Sequence, residues 1–221
     1  MIDSLSEFPQ ASASFLLPGG AGAIEVQTRR PSQAARLGTA IICHPHPLYG
    51  GSMSNKVVTT AERAFHELGL NTLRFNFRGV GKSEGTHDNG IGEGDDLMLL
   101  VQWLRRVRPH DAIWLCGFSF GAYVAITRAA AIAPAQMISL APPIGRWPLA
   151  DIVWPLCPWL VIQPEADEVV DPAAVFAWAE TMGARITLLR FAETSHFFHG
   201  QLTPLREAIQ QHVRAPLPPL A

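Results

Sequence analysis

Short apolar runs rich in β-branched and aromatic residues alternate along the chain with longer stretches whose apolar positions recur at helical spacing. That alternation predicts a parallel sheet covered by helices on both faces. The first two runs, 13 to 17 and 23 to 28, are separated by Pro18-Gly19-Gly20 and predict an antiparallel hairpin. Strand 39 to 43 (Thr-Ala-Ile-Ile-Cys) leads to a helix near 53 to 68, whose pattern stops at Gly69 as a C-cap, and strand 70 to 77 follows. A helix over 94 to 107 carries Leu97, Leu100, Val101 and Leu104 on one face, with Asp95 and Asp96 at its positive N-terminal end. Strand 112 to 116, helix 120 to 133 and strand 136 to 141 come next. After a connection bearing proline and tryptophan, strand 159 to 163, helix 172 to 182, strand 186 to 191 and helix 201 to 213 complete the pattern. The expectation is an α/β fold with eight strands, one domain over 1–214, and a Pro-rich C-terminal tail over 215–221. Ala215-Pro216-Leu217-Pro218-Pro219 cannot continue a helix and reads as a mobile end.

Composition narrows the class. The 221 residues fit one domain, and 48% hydrophobic against 16% charged residues describe a chain that buries a large interior. Seventeen basic and nineteen acidic residues leave a formal charge of −2 with no block of one sign, so nucleic acid is not an expected partner. Cys43, Cys116 and Cys157 are odd in number and two lie inside apolar runs, which suits reduced buried thiols and a cytoplasmic setting. The first residues carry Asp3 and Glu7 and reach Pro9 before any apolar run, unlike a signal peptide. No run approaches the roughly 18 apolar residues of a membrane helix, so no membrane partner is expected either.

Chemistry enters at Gly117-Phe118-Ser119-Phe120-Gly121, which directly follows an apolar strand and directly precedes a helical pattern. Gly-x-Ser-x-Gly is common by chance, but in this context it is the sharp turn that lifts a serine hydroxyl above a sheet, with the glycines relieving crowding. A serine hydroxyl is a poor nucleophile at neutral pH, so a base and a group orienting that base are required. Asp167 lies just beyond strand 159 to 163, and His196 five residues beyond strand 186 to 191, where parallel sheets place their sites. The chain order Ser119, Asp167, His196 is the order this kind of site demands. Glu165, Glu168 and Asp171 compete with Asp167 for the acid; Asp171-Pro172 better fits the cap of the next helix. His199 competes with His196.

Strand 39 to 43 runs into His44-Pro45-His46-Pro47-Leu48-Tyr49-Gly50-Gly51, where a first oxyanion donor belongs. The prolines have no N–H, which leaves the amide of His46 or Leu48; Leu48, nearer the glycine pair, is the expected donor, with Phe120 as the second. Tyr49, Trp147 and Phe197 are expected to wall the substrate pocket. Trp147, Trp154 and Trp159 also fit plain packing. His44-x-His46 could hold a metal, but no Asp, Glu or Cys at ligand spacing completes a site, so no metal is expected. Arg78-Gly79-Val80-Gly81-Lys82-Ser83 ends like a phosphate-binding loop, yet Asn76 stands where the first glycine is needed and Glu84-Gly85-Thr86 replaces the helix. Gly90, Gly92 and Gly94 follow no strand, which argues against a dinucleotide site.

With these segments assembled, the chain resembles the compact bacterial serine α/β-hydrolases related to dienelactone hydrolases. The resemblance covers nearly the whole chain and rests on the His44–Gly51 loop, Phe75-Asn76-Phe77-Arg78-Gly79-Val80-Gly81-Lys82-Ser83, the Ser119 pentapeptide and Ser195-His196-Phe197-Phe198. It implies an α/β-hydrolase fold and an esterase-like enzyme without metal or cofactor, acting on a small-molecule acyl substrate through Ser119, His196 and Asp167. It also assigns the Arg78-Gly79 turn to the family's own pattern. In the dienelactone branch the nucleophile is cysteine; here it is Ser119. A thioesterase or acyltransferase would share every one of these residues. Only 47 residues separate Ser119 from Asp167, and they already hold a helix and two strands, so no large lid is expected.

Overall fold

In a computed structural model, residues 6–31, 35–149, 152–213 and 217–218 are described. Eight strands form one sheet in the order β1-β2-β4-β3-β5-β6-β7-β8. The hairpin β1 (Ala13–Gly19) and β2 (Gly22–Arg29) is antiparallel, and β2 joins β4 (Asn71–Phe75) antiparallel. All further pairs are parallel: β3 (Gly38–Cys43), β5 (Ala112–Phe118), β6 (Gln136–Leu140), β7 (Trp159–Pro164) and β8 (Thr187–Phe191). β3 to β7 are buried along both faces, which is why they read as continuous apolar runs, whereas β2 alternates as a half-covered strand does.

Helices α1 (Lys56–Glu67) and α5 (Leu202–His212) cover one face, burying Val58, Ala61, Phe65, Leu205 and Ile209 against Ile42, Trp114 and Ile138. Helices α2 (Ile91–Val107), α3 (Phe120–Ile132) and α4 (Pro172–Met182) cover the other, with Leu97, Val101, Val124 and Val175 packed on Ile41, Leu115 and Val161. The expected eight-stranded, mostly parallel sheet between two helical layers is therefore the observed one.

Element ends differ from the expected ones where caps decide them. α1 begins at Lys56 rather than near 53, because the Asn55 side chain accepts the Val57 N–H at 2.8 Å. α2 begins three residues before the expected 94, because Glu93 reaches back to accept the Gly90 N–H at 2.8 Å. Gly92 thereby becomes helical, and the Arg78 guanidinium lies where its Cβ would be, forking onto Asp96 with two 2.9 Å bonds. The 78–83 turn is closed by its own groups. Ser83 Oγ donates to the Asn76 carbonyl and accepts from Glu25 N, while the Lys82 N–H donates to Glu25 at 2.8 Å. A phosphate has no amide cradle there. Of the tail expected over 215–221, only Leu217 and Pro218 lie among the described residues. Leu217 packs on the α1–α5 side and the Pro218 carbonyl accepts from Arg36 at 2.6 Å, so this part is anchored rather than free. No helix of the described residues is long and apolar enough to cross a membrane.

Candidate active site

Every parallel strand delivers its carboxyl end to the same edge of the sheet, and the expected residues meet there. β5 ends at Phe118 and α3 starts at Phe120, leaving Ser119 alone to make the turn at φ 53°, ψ −120°. Positive φ is strained for a residue with a Cβ. Its neighbours over-determine it: Ser119 N–H donates to the Leu140 carbonyl at 2.8 Å, and its own carbonyl accepts from Ala122 N at 2.8 Å. The turn also presses α3 onto β3, since a Cβ on Gly121 would sit 2.4 Å from the Cys43 carbonyl oxygen. Only glycine fits that approach.

His196 Nε2 lies 3.1 Å from Ser119 Oγ, and His196 Nδ1 lies 2.8 Å from Asp167 Oδ2. The side chains of His196 and Asp167 are 2% and 0% exposed, so the three groups form one hydrogen-bonded chain largely shut off from water. Asp167 Oδ1 accepts the N–H groups of Val169 (2.9 Å) and Val170 (2.7 Å), and Oδ2 also accepts from Gln163. Burial pushes the Asp167 pKa up, but the His196 hydrogen bond, the two amides and the His196 charge outweigh it and hold the carboxyl below its ordinary value. With Asp167 ionised, Nδ1 keeps its proton and Nε2 presents a lone pair to the serine hydroxyl.

The competing acids have other occupations. Glu168 Oε2 accepts the His196 backbone N–H at 3.0 Å and so positions the histidine's main chain. Asp171 caps α4 by accepting Ala173 N–H at 3.0 Å, and Glu165 is exposed. His199 is exposed beyond Phe197 and lies outside the chain of hydrogen bonds.

A cavity of about 400 Å³ opens over Ser119. Tyr49, Phe120, Trp147 and Phe197 all line it, together with His46 and Arg146. The three tryptophans divide between pocket wall and plain packing: Trp147 stacks on Tyr123 beside the cavity (5.4 Å), whereas Trp154 and Trp159 pack with Trp178 elsewhere on that face. Leu48 departs from the expectation. Its N–H is taken by His46 Nδ1 at 3.3 Å and the residue is 70% exposed, turned away from the cavity by the short 3₁₀ turn Pro47–Tyr49. The His46 amide has no acceptor among the described residues, and the Phe120 N–H, first in α3, has none within its helix. Asn55 and Arg146, which also line the cavity, carry no signal in the sequence beyond a helix cap and a loop arginine.

His44 is a strut rather than a ligand. Fully buried, its Nε2 accepts the Phe77 N–H at 2.9 Å and its Nδ1 lies 2.6 Å from the Pro45 carbonyl. Among the described residues no three His, Cys, Asp or Glu side chains gather as a metal site. Burial lowers the His44 pKa from 6.5 to about 4, with the Pro45 carbonyl opposing. The unfolded chain therefore takes a proton there that the folded chain refuses, and stability falls as pH drops from 6.5 towards 4. The loss expected from this residue is roughly 3 kcal/mol, read as a lower urea midpoint in acid. A His44→Gln variant with an unchanged pH slope would contradict it.

The comparisons agree with this architecture. The chain is 51% identical to an α/β serine hydrolase without a lid from Xanthomonas campestris, covering 97% of this chain and 99% of that one at a TM-score of 0.93. An α/β serine hydrolase homologue from Coxiella burnetii is 44% identical over 94% and 100% of the two chains, with a TM-score of 0.89. An uncharacterized protein of Rickettsia prowazekii is 47% identical over 88 residues, 39% of this chain and 37% of that protein's length. No protein-family model matches the chain. A mostly parallel eight-stranded sheet with helices on both faces defines the class as an α/β-hydrolase fold without a large lid. The chain belongs to the α/β serine hydrolases.

Proposed function

We propose that the protein is a carboxylesterase-like enzyme that cleaves a small ester through an acyl-enzyme, with Ser119 as nucleophile, His196 as general base and Asp167 as its orienting acid. The unbroken chain Asp167–His196–Ser119, opening into a cavity walled by aromatic rings, carries this reading. As Ser119 Oγ attacks the ester carbonyl carbon, its proton passes to His196 Nε2 and the carbonyl oxygen becomes an oxyanion. The unused amides of His46 and Phe120 hold that charge, His46 replacing Leu48 as first donor. Collapse expels the alkoxide, which leaves as the alcohol with the proton from His196. A water, deprotonated by the same nitrogen, then attacks the acyl-enzyme, and breaking the acyl–Oγ bond returns the proton to Ser119 and releases the acid.

The His44-Pro45-His46-Pro47 loop supports a relation to the dienelactone hydrolases, with serine in place of their cysteine. Three unpaired thiols, two of them buried, favour a reducing cytoplasmic setting, and the packing of both helical layers on one sheet favours a single domain over 1–214.

A cavity of about 400 Å³ stands at the small end of ligand sites. An acyl chain that outgrows it forfeits about 0.8 kcal/mol of burial for each further CH₂. With p-nitrophenyl esters, kcat/KM is therefore expected to favour acetyl and butyryl over palmitoyl groups. A rise through to palmitate would overturn the small-ester reading.

A further inference from the structure

A second imidazole–carboxylate pair stands behind the cavity, and the chemistry assigned to Ser119, His196 and Asp167 leaves it without a task. Glu93, in the first turn of α2, is fully buried. Its Oε1 accepts the Asp88 N–H at 2.9 Å and its Oε2 that of Gly90 at 2.8 Å. His87 Nδ1 lies 2.8 Å from Oε1, a close contact rather than an aligned hydrogen bond, and only 9% of the His87 side chain is exposed. The His87 ring packs on His46 with centroids 4.7 Å apart and on Phe120 at 5.3 Å; His46 and Phe120 are 4.9 Å apart. One imidazole, backed by a buried carboxylate, thus touches both residues whose amides are assigned above to the oxyanion.

Burying a carboxylate is costly unless it is satisfied, and the two amides already tie the 88–90 turn to α2. Packing on His46 alone would be served by any apolar ring at 87. An imidazole beside a carboxylate instead sets a polar ring against His46. Burial lowers the pKa of His46, His87 and Arg146 lower it further, and Glu93 opposes them. Tyr49, from the same loop, is the other titratable group against the His46 ring, and Phe120 and Trp147 complete its surroundings. A neutral His46 has the Nδ1 lone pair that accepts Leu48 N–H; a protonated one does not. That bond, with Tyr49 and Gly51 N–H on the His46 carbonyl at 3.1 Å each, folds the loop about the His46 backbone.

We infer that the Glu93–His87 pair is a positioning device for the oxyanion loop, acting through the His46 ring to keep the His46 and Phe120 amides aimed over Ser119. This rests on the ester-hydrolase reading above. His87 touches no reacting atom, so it is a positioning residue.

The test compares His87→Phe, which keeps a ring against His46 but removes the nitrogen facing Glu93, with His46→Phe and with the double variant. Hydrolysis of p-nitrophenyl acetate is followed after a fluorophosphonate has established that wild-type Ser119 reacts. Each single substitution is expected to lower kcat about tenfold while KM stays within about twofold, because alignment and not binding is lost. The double variant is expected to lose no more than the worse single, since both changes remove one effect. His87→Phe removes one of the neighbours that hold the His46 pKa down, leaving burial and Arg146, so the acid limb of kcat moves to higher pH in that variant. Should His87→Phe fail to fold by circular dichroism, His87→Gln, which removes the imidazole packed against His46 and Phe120, carries the same expectations. An unchanged kcat, a loss confined to KM, or losses that multiply in the double variant would overturn the inference. An unlabelled wild type would instead remove the ester-hydrolase reading beneath it.

Discussion

Ser119→Ala is expected to lower kcat for ester hydrolysis by about 10⁶ with the fold intact, and His196→Ala by about the same, because on the proposed mechanism either change removes the nucleophile–base unit as a whole. Among the described residues the Ser119 hydroxyl has one side-chain partner, His196, and the strained turn is held by backbone bonds that alanine keeps. Thermal melting of Ser119→Ala should therefore match the wild type while steady-state turnover collapses. A fall of only about tenfold would mean that another group attacks the carbonyl.

Asp167→Asn is expected to cost about 10⁴ in kcat with little change in KM. Two backbone amides, Val169 and Val170, already point at one oxygen of this side chain, so an asparagine there keeps its carbonyl towards them and turns its NH₂ to His196 Nδ1. His196 must then carry its proton on Nε2, where it cannot accept the serine hydrogen. Glu168→Gln is expected to give a far smaller loss, since Glu168 holds the His196 backbone and not its ring. Comparing the two variants by kcat separates the acid that orients the ring from the acid that anchors the chain. Equal losses would contradict the assignment of Asp167.

What could be read from the sequence follows from how local each signal is. Ser119 is announced by its own pentapeptide, because strand, turn and helix are all written within a few residues of it. Asp167 and His196 were reachable by a coarser argument, that parallel strands end at one edge. That Asp167 rather than Glu168 meets the His196 ring, however, follows from contacts with Val169, Val170 and His196 in three dimensions. The oxyanion loop shows the limit most clearly. Two prolines narrow the donor to His46 or Leu48, but the Leu48 amide is consumed by a side chain two residues back, and nothing in residue order reveals that bond. His87 was invisible for a related reason: its contacts with His46 and Phe120 join three separate connections, and its own segment reads as a glycine-rich turn. The tryptophans near the Asp167 strand divide between the cavity and the far packing by tertiary placement, which spacing along the chain does not record.

The most direct test of the central claim is the intact mass and peptide map of the protein after reaction with a fluorophosphonate, in wild type and in Ser119→Ala. The account predicts a single phosphonyl adduct on the peptide containing Ser119 in wild type and none in the variant. No adduct on the wild type, or an adduct that persists in Ser119→Ala, would contradict it.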